Sequence, residues 1–570
     1  MSCGMVNGGD LVGEVLKNEG VKCVFAVCGV HINPVLAAAE RRGIRIISFR
    51  HEGGAVSAAD GYARASGEVG VAAITAGMVG LVTEPILEAF TYGSPVVVIA
   101  GAASLAGEGT GEIQDADQPT IVKSITKWCS RVKLWNRIPE FVSTAFRHAR
   151  AGFPGPAFLD IPIDVLTTRG DASTVKLPRT SREKVGKPGG DPVYIEKALK
   201  LLLNAERPII IAGPEVYWSK GWNELLHFAE LTNIPVTYFL GLLGLIPYEH
   251  PLCVSGVFTG DADVALVIGQ RANIHLTKSF MVDPQLIGPE TKVIRVFPDE
   301  TDIGAVFDVE IGIVGSARIV LEQMIEKVDK MHVGGCRTKR DKWLDELRAR
   351  KEQYQEKLRR LEEQFWDQKP IHMARLSREV LDAIPRDATL ILDGADCDHW
   401  FRKWACTFER YPMQVINVLD LGICAVGPGL PMAIGAKIAR ADKQVICVTG
   451  DGAFGQYAME LETAAHNNIP IVVVVCNNSA WGFIVNYEGK CNLDYFTAPK
   501  WLTFERNLRY DKMAEALGCH GEYVDEPDQL HDALIRALNA TKKGQPALVN
   551  VITDLRSNAS MRFPGHTLTL

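Results

Sequence analysis

Short, nearly unbroken apolar runs alternate with amphipathic stretches along most of this chain, and that alternation constrains its fold more than any other feature. Runs such as PVVVIAG and IPIVVVVC are apolar at successive positions, so they suit strands covered on both faces. Between the runs lie segments with apolar residues at helical spacing. GDLVGEVLKNEG, for example, sets Leu11, Val15 and Leu16 on one face. Strands and helices in regular alternation predict parallel sheets with helices on both sides.

Residues 8 to 170 give strands KCVFAVCG, GIRIISFR, VGVAAITAG and PVVVIAG with helical patterns between them. Residues 174 to 192 are rich in Pro, Gly and charge and read as a linker. A second unit carries RPIIIAG, IPVTYF, VALVIGQ and KVIRVF; a third carries ATLILDG, VICVTGDG, IVVVVCNN and ALVNVIT. Between them, residues 337 to 368 are dense in charge, with Trp343, Leu344, Leu347, Leu358 and Leu361 at helical spacing. That pattern predicts a solvated amphipathic helix joining two units. At 570 residues the chain exceeds a single core. The expected division is 1–175, 190–335, a charged helix over 336–369, 370–555 and a tail over 556–570. The fold class is α/β, with three doubly wound parallel-sheet domains.

A hydrophobic content of 47% and a charged content of 23% argue against long disordered regions. A net charge of −7 gives no support for a nucleic-acid partner or an anionic membrane surface. The 13 cysteines occur singly, without a CxxC pair, and read as reduced, mostly buried thiols of a cytoplasmic protein. No basic segment followed by an apolar one opens the sequence, so no signal peptide is expected. No apolar run approaches the length of a membrane span.

The stretch GDGAFGQYAMELETAAHNNIPIVVVVCNN puts an acid in a glycine turn after one strand and two asparagines at the end of the next. In doubly wound sheets ligands bind at the carboxyl ends of the strands, which brings Asp451 and Asn478 to one edge. Two side-chain oxygens plus a backbone carbonyl suit a hard cation such as magnesium, whose remaining positions take phosphate oxygens. The glycines let backbone approach a phosphate, and the helix that follows favours the anion.

This motif resembles the signature of thiamine-diphosphate enzymes, the superfamily of acetolactate synthase and pyruvate decarboxylase. The resemblance implies thiamine diphosphate and Mg2+ as cofactors. Asp451, Asn478 and the carbonyl of Ala480 would hold the metal. Gly450, Gly452, Ala453, Asp396 and Cys397 would lie around the cofactor. FRHEGGAVSAADGYAR resembles the glutamate segment of the same family, which makes Glu52 the residue that bonds the pyrimidine ring and activates the cofactor. The three units would then be pyrimidine-binding, central and diphosphate-binding domains. The site would lie between two subunits of a homo-oligomer, a dimer at least and commonly a tetramer.

GGDLV, VCGVHINPVL, RHEGGAVSAADGYARA, AITAG and SITKWCSRV look most like benzaldehyde lyase and related acyloin lyases and carboligases. His31 and Gln114 match the histidine and glutamine that move protons in that group. The implied reaction cleaves or forms the carbon–carbon bond of a 2-hydroxy ketone, or joins aldehydes, through an enamine on the cofactor. Other positions depart from the pattern. TAGMVG places Met78 and Val79 where relatives carry Pro-Gly or Gly-Gly. In LGICAVGPG, Cys424 replaces a larger residue that bends the cofactor, and Gly422 would offer its carbonyl. Asp398 stands where benzaldehyde lyase has a pocket tyrosine, an argument against an aromatic substrate. Trp481, Phe483, Tyr487 and Glu488 would line the substrate pocket, and Arg562 and His566 of the tail would cover it.

Three other reactions of the family stay open. A 2-hydroxyacyl-CoA lyase is the main one, followed by an acetolactate synthase and a 2-oxoacid decarboxylase. Phe297 at the end of KVIRVF weighs against a flavin or nucleotide in the second unit, and a paired-histidine motif is not evident. A catalytically silent regulatory homologue is the alternative from another class; Glu52, Asp451 and Asn478 argue against it.

Overall fold

The computed structural model describes residues 4–178, 185–238, 246–277, 285–330, 337–405, 414–418, 423–487 and 499–557, with side chains at 329, 337–339, 403–405, 486 and 487 outside that description. Three parallel sheets account for all but two of the strands found in it. The first contains Cys23–Ala26, Arg45–Ser48, Gly70–Ile74, Val96–Ala102, Trp128–Arg131 and Ala157–Pro162. Their spatial order is second, first, third, fourth, sixth, fifth. The third sheet contains Thr389–Asp393, Gln414–Asn417, Val445–Gly450, Val472–Asn477, His520–Val524 and Ala547–Ile552, in the same order. The sheet between them runs Val236–Tyr238, Pro208–Ala212, Val264–Ile268, Lys292–Phe297 and Ile311–Val314.

Each sheet is larger than the apolar runs alone predict. Trp128–Arg131 and His520–Val524 are edge strands with polar residues, and Ala157–Pro162 buries an aspartate. Neither kind reads as a continuous apolar run. Met5–Asn7 pairs antiparallel with Arg169–Asp171.

The first and third sheets share one apolar core, in which Phe25, Ile47 and Ala58 pack with Ile391, Met432 and Val473. Its centre is the crossing of helix Glu52–Ser66 with helix Gly429–Ala439. The first helix is built of small residues because the two backbones touch. A Cβ on Gly435 would lie 1.9 Å from the Ala58 oxygen, and one on Gly61 would lie 2.2 Å from the Met432 oxygen. Beside the crossing, Arg64 is buried. It donates to both Asp60 oxygens at 2.9 and 2.7 Å, to Glu88 at 3.0 Å and to the Asn417 carbonyl at 3.0 Å. The carbonyl of Arg64 accepts from Tyr217 Oη at 2.6 Å and Gln414 Nε2 at 3.0 Å. One residue thus touches all three units.

The charged helix runs Arg337–Phe365, but it is not simply solvated. Trp343 and Leu347 are buried against the middle sheet, and Leu358 is buried in the core of the third. Trp343 Nε1 also donates to the Pro208 carbonyl at 3.0 Å. Its high charge hides a narrow apolar stripe that clamps two units to one rod. Among the described residues no helix is long and apolar enough to cross a membrane. Six of the nine described cysteines are buried.

Replacing Arg64 by Met would leave Asp60 and Glu88 buried without that counter-charge, which costs on the order of 3–5 kcal/mol. Calorimetry of the Arg64→Met variant should show a clearly lowered unfolding transition. Lys330→Met, which removes an exposed helix-surface pair with Glu326, should leave the transition where it is.

Candidate active site

In each six-stranded sheet the order of strand addition reverses between the first and third strands, which opens a crevice at their carboxyl ends. In the third sheet this crevice lies between Asp393 and Gly450. Gly394, at φ +89°, comes so close that a Cβ on it would sit 3.2 Å from the Gly450 nitrogen. A Cβ on Gly450 would lie 3.9 Å from Cys397 Sγ. Asp396 and Cys397 open helix Ala395–Ala405 at this same edge.

Asp451 does not sit in a free glycine turn, as the sequence led us to expect. It is the first residue of helix Asp451–Tyr457, with Gly450 at the N-cap position and Ala453 buried behind it. The next helical piece, Glu460–His466, starts after a short break. Asp451 is 3% exposed. Its oxygens accept from Gly452 N at 2.9 Å and from Ser479 N at 2.6 Å. Ser479 takes a left-handed φ of 59° to make that bond. Asn478 follows strand Val472–Asn477, and its side-chain oxygen accepts from Ala480 N at 3.0 Å.

Burial pushes the Asp451 carboxyl up to about 7 despite these backbone donors. A carboxylate so placed lacks a counter-charge, and a divalent cation would supply it. Among the described residues no group of three or more His, Cys, Asp or Glu could hold a metal. A metal here would therefore need the amide oxygen of Asn478 and a main-chain carbonyl, which is the donor set the motif offers. The oxygen donors, the helix start and the close backbone approach fit a metal-bound diphosphate.

In the first sheet the equivalent crevice lies between Ala26 and Ile74. There a Cβ on Gly29 would lie 2.3 Å from Thr75 Oγ1. His31 is 9% exposed, and its Nδ1 is buried without a hydrogen-bond partner. The same holds for Thr75 Oγ1. Gln114 is half-buried at a left-handed φ of 62°, packed on the turn at Gly77. Met78 and Val79 follow that turn in a single 3-10 turn.

Glu52 is buried at the first position of its helix, where His51 Nδ1 accepts from Gly53 N at 3.0 Å. The third unit braces this segment. The Glu460 carboxylate accepts from Arg50 N at 3.3 Å and from His51 N at 3.1 Å. A Cβ on Gly53 would meet Tyr457 Oη at 2.4 Å. The glutamate segment therefore rests on the C-terminal end of the helix that Asp451 begins.

Asp398 has no exposed surface and pairs with Arg402 Nε at 2.8 Å. His399 packs edge-on against Phe483 at 5.6 Å, and Trp481 against Phe504 at 5.3 Å. Cys424 is exposed at a φ of 53°, a backbone position that a non-glycine residue occupies at a cost. Gly422, Glu488, Arg562, His566 and the side chain of Tyr487 lie outside the described residues. Sequence reasoning missed Asp393, which accepts from Gly427 N at 3.0 Å and Gly429 N at 2.9 Å and so holds the Cys424 loop. An acid closing the apolar run ATLILDG was the available signal. It also missed Glu460 and Gln118, whose partners are distant in sequence.

Asp451→Asn and Asn478→Ala should each weaken metal-dependent retention of thiamine diphosphate by at least about tenfold, with the circular dichroism spectrum unchanged. Titration calorimetry with magnesium and the cofactor measures this.

Three parts of the chain match descriptions of one family. Residues 6–121 match the N-terminal TPP binding domain of thiamine pyrophosphate enzymes, 195–324 the central domain, and 398–551 the C-terminal TPP binding domain. A probable acetolactate synthase large subunit of Methanococcus aeolicus is 30% identical, over 99% of this chain and 95% of that protein. A 2-hydroxyacyl-CoA lyase of Arabidopsis thaliana is 29% identical over 96% of each. 2-Hydroxyacyl-CoA lyase 2 of Homo sapiens is 27% identical over 97% of this chain and 91% of that protein. The chain belongs to the thiamine pyrophosphate (thiamine diphosphate) enzymes of the acetolactate synthase and pyruvate decarboxylase superfamily, and it is a thiamine-diphosphate-dependent enzyme.

Proposed function

We propose that the protein is a magnesium-dependent carbon–carbon lyase and carboligase acting on 2-hydroxy ketones or aldehydes. The observation that carries this reading is the pair of buried atoms without hydrogen-bond partners, His31 Nδ1 and Thr75 Oγ1, at the first crevice. A buried polar atom left unsatisfied costs about 1–3 kcal/mol. A substrate hydroxyl that reached His31 Nδ1 would relieve that atom.

Asp451, Asn478 and the Ala480 carbonyl would hold magnesium, with Gly450, Gly452, Ala453, Asp396 and Cys397 around the diphosphate. Cys424 and the carbonyl of Gly422 would support the ring system. When bound, the cofactor supplies a nucleophilic carbon that attacks a carbonyl and accepts the electron pair of the broken bond. Glu52 holds a proton at a pyrimidine nitrogen. His31 Nδ1 takes the proton of the substrate hydroxyl as the carbon–carbon bond breaks, and the Gln114 amide holds the carbonyl oxygen. Asp398, paired with Arg402, makes one wall polar; Trp481, Phe483, Tyr487 and Glu488 complete it.

The functional units in this reading are a pyrimidine-binding domain over 1–175, a central domain over 190–335, the helix 336–369, a diphosphate-binding domain over 370–555 and a tail over 556–570. The active form is a cytoplasmic homo-oligomer, dimer or tetramer, with each site shared by two subunits.

A second reading, 2-hydroxyacyl-CoA lyase, is favoured by relatives of that name along 96–97% of the chain. The two readings differ in the acyl group rather than in the bond broken. Phe297 is buried against Phe153 with ring centres 5.1 Å apart, which weighs against a flavin-dependent acetolactate synthase.

Aldehyde release from a panel of acyloins, 2-oxoacids and 2-hydroxyacyl-CoA thioesters tests the reaction. Cleavage of none of them would sink the lyase reading. His31→Ala should slow cleavage by about 10²–10⁴-fold without loss of cofactor. Glu52→Gln should be nearly inactive while still binding thiamine diphosphate. Mixed with Asp451→Asn subunits at a cofactor concentration where neither variant alone is active, it should regain about a quarter of wild-type activity if a dimer shares its sites, and none if each site lies within one subunit.

A further inference from the structure

Gln118 has only 1% of its surface exposed and opens the short helix Gln118–Val122. Its amide bridges two loops of the first crevice. Nε2 donates to the Gly101 carbonyl at 2.8 Å, and Oε1 accepts from Gly77 N at 3.1 Å. Each glycine lies against one of the two proton-handling residues. A Cβ on Gly101 would lie 2.4 Å from the His31 oxygen, and one on Gly77 would lie 3.0 Å from Gln114 Cβ. The amide is therefore tied to the backbone beneath both.

Behind it stands Asp160, which has no exposed surface and pairs with Arg131 Nη2 at 2.9 Å. Arg131 in turn donates to the Ala116 carbonyl at 2.9 Å and to Glu108 at 2.6 Å. These bonds fasten both ends of the segment that carries Gln114. Only an amide donates and accepts at once in this place. A glutamate of the same shape would lose the donation to Gly101 and face Asp160 with a second charge.

We infer that Gln118 is a positioning residue that sets the spacing of His31 and Gln114 for proton transfer. The inference rests on the function proposed above. Misplacing a catalytic group by a fraction of a residue width lowers turnover more than it lowers binding.

The test is a double-mutant cycle in the holoenzyme, read by aldehyde release, with Gln118→Met, Gln118→Glu, Gln114→Ala and the two double variants. Cofactor affinity and melting temperature are measured alongside. Each Gln118 variant should lower kcat by about 10–100-fold with cofactor affinity within about twofold of wild type, and should cost at least about threefold less once Gln114 is Ala, the part that remains acting through His31. Wild-type kcat in both variants would overturn the inference. So would an undiminished loss in the Gln114→Ala background, or a change confined to melting temperature and cofactor affinity. If Gln114→Ala alone is silent, the role given to Gln114 under the proposed function fails as well. If Gln114→Ala is slow and the effects simply add, only the role of Gln118 fails.

Discussion

Arg64 carries a positive charge into the seam between the first and third sheets, and the relative placement of the two crevices depends on it. Its guanidinium meets Asp60 and Glu88 from its own unit and the Asn417 carbonyl from the other. Such a buried pair adds little net stability compared with apolar residues of the same size, because desolvation offsets attraction. Its effect is on specificity: any other docking of the two sheets would cost the guanidinium its bond to the Asn417 carbonyl. The neighbouring crossing, with Gly61 and Gly435 at backbone contact, admits no slippage by a bulkier side chain. Both features lie on or against the helix that Glu52 begins. The position of the Glu52 carboxylate is thereby fixed by packing at the far end of its own helix.

The same strand order, used twice, produces two crevices with different chemistry. In the third sheet the crevice holds a buried acid at a helix start with oxygen donors around it, a place for a cation and a phosphate. In the first it holds His31 and Thr75, each with a buried atom that lacks a hydrogen-bond partner, and Gln114 at a left-handed φ. The segment Asp451–Glu460 joins the two crevices mechanically, since one end carries Asp451 and the other braces Glu52 through Tyr457 and Glu460.

The apolar runs were legible because buried parallel strands need polar residues on neither face. The edge strands Trp128–Arg131 and His520–Val524 escaped notice because half-covered strands lose that signature. The positions of Glu52, Asp451 and Asn478 just past strand ends were legible because each follows an apolar run directly. Gln118, Asp393 and Glu460 were not. Each acts by bonding backbone that is distant in sequence, and nothing local distinguishes them from ordinary helix-start or strand-end residues. The charged helix misled in the opposite direction. Its composition is that of a solvated rod, but Trp343, Leu347 and Leu358 are enough to embed it in two cores.

The buried carboxyl of Asp451 is uncomfortable as an anion in the bare fold. Burial moves its carboxyl from 3.8 to about 7, a shift equivalent to about 4 kcal/mol against the charged form. The folded state then holds a proton that the unfolded chain has already released between those two pH values. Stability of the metal-free protein therefore falls as pH rises through that window. A divalent cation reverses the sign, because it stabilises the carboxylate that burial disfavours. A cation bound at this carboxylate would therefore stabilise the folded protein at neutral pH.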